Sequence, residues 1–152
     1  MMDRDARGWS IEYEGADFER FFSKLGGYEQ AVLAAAINHV LKVHGIDICQ
    51  GEWGKPLGDG LYEFRVRRSL RAILSEAGLD APPDLGGADR MVLLRVFCTF
   101  HGDRIVLLFH GYDKKKDPSE KRQEREIARA RSCTLRGSAG VDRLCVLTHN
   151  GP

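Results

Sequence analysis

The chain has 152 residues, 43% of them hydrophobic, and a formal net charge of +1. That length suits one globular domain, 1–152, able to bury about two thirds of the surface its unfolded form exposes. A charged start, "MMDRDARGWSIEYE", and Arg95 interrupting the apolar "MVLLRVFCTF" argue against a signal peptide and a membrane span, so a cytoplasmic protein is expected. Cys49, Cys98, Cys133 and Cys145 form no C-x-x-C pair and read as reduced and structural; no metal site and no cofactor are expected.

The small net charge hides an uneven distribution. Residues 1–30 carry seven acids against four bases, whereas residues 101–136 carry ten bases against six acids, and residues 61–71 four arginines against Glu63 alone. Such polarity points to a basic surface fed by two separated segments.

In chain order, "WSIEYE" alternates like a short strand. "ADFERFFSKL" places Phe18, Phe21, Phe22 and Leu25 at helical spacing before the Gly26-Gly27 break. Over 28–44, Tyr28, Val32, Ala35, Ala36, His39, Val40 and Val43 form an apolar stripe with Gly45 at the C-terminal cap position. These two segments should form a helical hairpin on one face of a sheet. In "GLYEFRVR", Tyr62, Phe64 and Val66 fall on one face and Leu61, Glu63, Arg65 and Arg67 on the other. "MVLLRVFCTF" and "RIVLLFHGY", joined by a short Gly-containing turn, predict a β-hairpin, so the sheet should be antiparallel. Within it Arg95 needs solvent, a carboxylate or a bound anion, because an unpaired charge is costly to bury. Asp117-Pro118 with Glu120 predicts a helix start, and the segment from 118 to about 132 has only Ile127, Ala128 and Ala130 as a docking stripe. Pairs such as Arg122 with Glu126 would suffice to stabilise it as a solvated helix.

The strand "GLYEFR" preceded by Lys55, Arg95 inside the next apolar strand, the strand end "HGYDKKK", and "EIARAR" in the last helix together resemble the RelE superfamily of bacterial toxins, in its HigB-type, phage-associated branch. The similarity spans about residues 9–132. It implies an α+β RelE-like domain with an antiparallel sheet, an N-terminal helical hairpin and a C-terminal basic helix. The activity it implies is ribosome-dependent mRNA cleavage, held in check by a cognate antitoxin protein. The chemistry is attack of a ribose 2′-OH on the adjacent phosphate, with no metal required. The resemblance makes Arg65 and Arg95 the phosphate clamp, with Tyr112, Lys114 and Lys115 at the rim of the catalytic site. Lys55, Arg67, Lys116, Lys121, Arg122 and Arg125 become RNA contacts, and His110 and Asp113 further acid-base candidates.

Plainer readings exist for each residue. Arg65 can pair with Glu63, Tyr112 can be a half-buried aromatic, and His110, placed by alternation with Val106, Leu108 and Tyr112, can be a core histidine. His39, His44 and His101 read as structural or solvent-facing. At the level of function the alternatives are a non-catalytic RNA- or protein-binding member of the same fold, and a gyrase inhibitor. Two segments depart from the family pattern. An insertion at 68–90 carries a short amphipathic helix capped by Ser69 and reads as decoration of a hairpin, with a lid or an antitoxin contact as alternatives. The tail, 133–152, contains the strand-like "RLCVLT".

Overall fold

A computed structural model describes residues 8–80, 87–116 and 119–132. The tail with its "RLCVLT" segment and the expected cap at Asp117 lie outside them. Strands β1 (Ser10–Tyr13), β2 (Gly54–Gly58), β3 (Leu61–Val66), β4 (Leu94–His101) and β5 (Ile105–Asp113) form one sheet in the order β1-β5-β4-β3-β2. The sheet is mixed, which corrects the antiparallel expectation: β1 runs parallel to β5, and the other pairs are antiparallel. Residues 14–104 separate β1 from β5, and a parallel neighbour needs such a long connection.

Helices cover one face. Helix α1 (Asp17–Lys24) is followed by α2 (Gly27–Ala36), a π-helical turn (Ile37–Leu41) and α3 (Lys42–His44) in one nearly continuous rod. The buried stripe of this rod is rotated from the expected one. Val32, Leu33, Ala36, Ile37, Val40 and Leu41 enter the core, while Val43 is 56% exposed and His39 is half-buried. The segment is apolar on nearly every side, so periodicity alone could not select the face, and the wider π turn advances the register there. The stretch Gly27–Gln50 is long and apolar enough to cross a membrane; its apolar side is instead packed against the sheet. Gly45, at φ +54°, ends the rod, and the Trp9 ring occupies the space that any Cβ would take.

The core on this face takes Phe64 and Val66 from β3, Leu94, Val96 and Cys98 from β4, and Val106 and Leu108 from β5. That matches the alternation expected for β3 and β4. The insertion is part of this core and not a decoration on it. Ser69 accepts the amide hydrogen of Ala72 at 3.1 Å and caps α4 (Leu70–Glu76), as expected. Leu70 and Ile73 then pack among the core residues. The Tyr28 hydroxyl accepts from the Leu70 amide (3.1 Å) and donates to the Arg90 carbonyl (2.6 Å), tying both arms of the insertion to α2.

The opposite face of the sheet carries α5, residues 120–132. Ser119 caps it by accepting from the Arg122 amide at 3.1 Å. A smaller cluster of Leu61, Phe97, Leu107, Phe109, Tyr112 and Ala130 forms the contact, with Leu57 and Ile127 at its margin. Of the thin stripe expected of this helix, Ala130 and Ile127 dock, while Ala128 is exposed.

Because Ile73 is 1% exposed, Ile73→Ala should destabilise the fold by about 2–4 kcal/mol in chemical denaturation. A chain trimmed across 70–88 should fail to fold cooperatively. A trimmed chain as stable as the parent would return the insertion to the status of decoration.

Candidate functional site

The face under α5 is organised by strand register. Directly opposed residues in an antiparallel ladder share a face, and two charged rows result. Lys55, Glu63, Phe97 and His110 stand opposite one another across β2 to β5, and Arg65, Arg95 and Tyr112 form the next row across β3 to β5. The second row unites three residues drawn from two distant segments of sequence.

A β-bulge makes this possible. Cys98 pairs with Leu108 but Phe97 pairs with His110, leaving Phe109 as an extra residue. Simple alternation would put His110 on the face of Val106 and Leu108; the bulge turns it, and Tyr112 with it, to the face of Phe97 and Arg95. Gly111 consequently faces the helical layer. A Cβ there would lie 2.7 Å from the Phe21 ring and 2.5 Å from the Arg95 carbonyl oxygen, so only glycine lets β5 approach so closely.

Glu63 is the centre of the arrangement. Its carboxylate is 0% exposed, with Oε1 3.2 Å from Arg65 Nε and 3.8 Å from Arg95 Nε. Arg95 is itself 3% exposed, and its Nη1 donates to the Leu94 carbonyl at 3.4 Å. The need for a partner is met by a carboxylate, and Arg95 sits beneath the surface where the expected clamp would require it on top. Arg65, with a quarter of its side chain exposed, and the exposed Arg67 are the guanidinium groups a ligand can reach.

Tyr112 corrects a second expectation. It is 1% exposed, its ring stacks on Phe97 at 6.1 Å, and the Arg122 guanidinium lies 5.2 Å above it. No face of the ring is open for a nucleobase. Burial, reinforced by the Glu63 carboxylate, pushes its hydroxyl up to about 12, so at neutral pH the phenol is a proton donor and not a base.

The three lysines after β5 splay apart. Burial and the nearby Arg95, Arg65 and Arg67 charges lower the Lys114 ammonium, which places Lys114 with the arginines. Lys115 Nζ instead donates to the Met91 carbonyl (3.0 Å), and its amide donates to Asp113 Oδ1 (2.9 Å). That assigns Lys115 and Asp113 to holding the turn against the entry to β4, not to the catalytic rim. Lys116 lies in a cleft on the α1 side of β5. Lys55 is exposed on β2, and Lys121 and Arg125 are exposed on α5. Arg122 is bound to Glu126 at 2.6 Å, the pair expected from their spacing.

His110 and Glu126 link α5 to the sheet. His110 is 1% exposed, and its Nε2 is 3.0 Å from Glu126 Oε1. Burial lowers the imidazole first and Arg129 adds to this, while Glu126 and Asp17 oppose it. The core-histidine reading therefore holds, on the opposite face from the one alternation gave. Sequence reasoning singled out neither Glu63 nor Glu126 as site residues. The signal for Glu63 was available: an acid at an inward strand position, on the same face as Arg65.

No group of His, Cys, Asp and Glu able to hold a metal ion occurs among the described residues. A concavity of about 650 Å³ between α1 and the α2 rod is lined by Tyr13, Phe18, Phe22 and Ile37 and has Glu19 as its one charged group. It is far poorer in charge than the Arg65 row. The chain matches no protein-family model and no curated protein.

Two outcomes follow. Arg95→Met should cost about 3–5 kcal/mol, because it strips Glu63 of a buried counter-charge. Adding Glu63→Leu should recover most of that loss, and a double variant no more stable than Arg95→Met would exclude the buried pairing as the cause. Secondly, His110 has a folded-state pKa below its unfolded value, so its contribution to stability is complete above about pH 6.5 and is lost as pH falls through the depressed folded value. In urea titrations at several pH values, His110→Gln should lack this component. Equal pH slopes for variant and parent would contradict it.

Proposed function

We propose that the chain is a HigB-type toxin of the RelE superfamily, the effector half of a type II toxin-antitoxin pair, which cleaves mRNA on the ribosome. The observation that carries this reading is the register row Arg65–Arg95–Tyr112 with Arg67 and Lys114 beside it. Four cations converge there around a single carboxylate, which leaves the surface with an excess of positive charge suited to phosphate.

The reaction is transesterification within the RNA chain. The ribose 2′ oxygen bonds to the adjacent phosphorus as the bond to the 5′ oxygen breaks, leaving a cyclic phosphate and a free 5′-OH. Arg65, Arg67 and Lys114 would neutralise the charge that accumulates on the phosphoryl oxygens, the dominant need of such a transition state. Arg95, held under them by Glu63, is a positioning residue that fixes Arg65 and adds to the field. Protonated Tyr112 can supply a proton to the departing 5′ oxygen only once α5 and Arg122 uncover it. The burial of Arg95 and Tyr112 also favours a second reading, a non-catalytic RNA-binding member of the same fold using the same surface.

A translation reaction programmed with a defined mRNA separates the two. Cleavage should yield fragments with 5′-OH ends, should cease when the cleaved nucleotide carries 2′-deoxyribose, and should fall about a hundredfold in Arg65→Ala. Binding of RNA should weaken with salt, and Arg67→Ala should reduce that log-log slope by about one unit. Salt-dependent binding with intact mRNA would select the non-catalytic reading. Cleavage that survives the 2′-deoxy substitution would remove the 2′-OH mechanism altogether.

A further inference from the structure

A second concentration of positive charge lies on the other side of β5. A cleft of about 280 Å³ is walled by Arg20 and Lys24 of α1, Lys116 of the turn after β5, and Arg122 and Arg129 of α5, with His110 and Tyr112 also lining it. Its size is at the small end of ligand pockets and fits one phosphate better than a whole nucleotide. The carboxylates at its wall are already engaged. Asp17 lies 2.9 Å from Arg20 and 3.2 Å from Arg129, and Asp113 accepts the Lys115 amide hydrogen. The side chains of Lys24 and Lys116 make no hydrogen bond or ion pair among the described residues.

Two further observations point to a ligand. His110 Nδ1 is a buried polar atom with no hydrogen-bond partner among the described residues, on a cleft-lining side chain that is 1% exposed. Buried polar atoms are rarely left unpaired in this way. The strand edge beside His110 is also open: β1 pairs with β5 only as far as Leu108, where the Glu14 amide donates to the Leu108 carbonyl. Beyond that point no described strand covers residues 109–113.

We infer that this cleft is a phosphate seat, separate from the Arg65–Arg67–Lys114 surface, formed by Arg20, Lys24 and Lys116 against His110 and Gly111 on the edge of β5. The phosphate charge is met by ammonium and guanidinium groups at the rim, and the buried imidazole supplies a directional contact at the floor. His110 Nε2 already faces Glu126, so an imidazolium could donate from Nε2 to the carboxylate and from Nδ1 to the anion. Phosphate binding therefore draws a proton onto His110, against burial, Arg129 and the Arg122 charge nearby, and with the help of Glu126 and Asp17. The inference does not depend on cleavage activity, and it stands or falls without reference to the 2′-OH chemistry.

The test is a titration of the full chain with inorganic phosphate at constant ionic strength, followed by NMR at the Gly111 amide and the His110 imidazole. Saturable shifts at both are expected, and the His110 titration midpoint should rise by about one pH unit at saturation, as for a group gaining an adjacent opposite charge. The double variant Arg20→Ala/Lys24→Ala should weaken binding by about tenfold or more, while Lys42→Ala, outside the cleft, should not change it. A parallel titration with a dinucleoside monophosphate distinguishes the source. Saturation by phosphate alone assigns a terminal or free phosphate, and saturation by both assigns a chain phosphate of nucleic acid. Shifts that grow linearly without saturating, or binding undiminished in the double variant, would overturn the proposal.

Discussion

The buried carboxylate of Glu63, set between Arg65 and Arg95, is the interaction on which the charged face depends. Two guanidinium groups on adjacent strands would repel each other if they shared a face with nothing between them. One carboxylate at 0% exposure, within 4 Å of both Nε atoms, converts that repulsion into a bound triad. The desolvation cost of such a triad is large, and apolar residues of the same volume would often stabilise a fold at least as well. The arrangement is therefore better explained by what it presents to a ligand than by stability: Arg65 fixed at the surface, backed by a second charge that cannot move.

The layer above that triad is built on a different balance. Helix α5 buries little apolar surface, essentially Ala130 with the margin of Ile127, and is held as much by polar contacts. Glu126 binds both His110 and Arg122, and Arg131 donates to the Leu57 carbonyl in the β2–β3 hairpin. Charge-assisted contacts of this kind are directional and sensitive to protonation. A helix docked in this way is registered accurately on the sheet yet costs less to detach than one with a full apolar face. The opposite face, where α1, α2 and α4 pack on the sheet with a continuous apolar core, supplies most of the stability. One sheet thus has a stabilising side and a charged side.

Much of this was legible in the sequence because strand alternation and cap chemistry are local. The faces of β3 and β4, the Ser69 cap and the Arg122–Glu126 pair depend on residues within a few positions of one another, and each is found as expected. The α+β class follows from the same local patterns. The buried stripe of the α2 rod could not be fixed locally, since Leu33, Ile37 and Leu41 compete with Ala35, His39 and Val43 on a helix that is apolar nearly all round. The inserted helix was equally ambiguous, because a short amphipathic segment looks the same whether it decorates a hairpin or completes a core.

The sequence by itself determined most of the elements, the apolar faces of β3 and β4, and the excess of basic residues in two separated segments. Only the tertiary structure decided which of those bases meet. The bulge at Phe109 is one extra residue, invisible in the hydrophobic pattern because Phe109 is as apolar as its neighbours, yet it turns His110 and Tyr112 onto the face of Arg95. The parallel pairing of β1 with β5 depends on a contact between strands separated by residues 14–104. The dispersal of Lys114, Lys115 and Lys116 to three different surroundings is set by the turn that carries them and by what each ammonium finds within reach. In each case the deciding interaction joins residues far apart in sequence, and periodicity carries no information about such pairs.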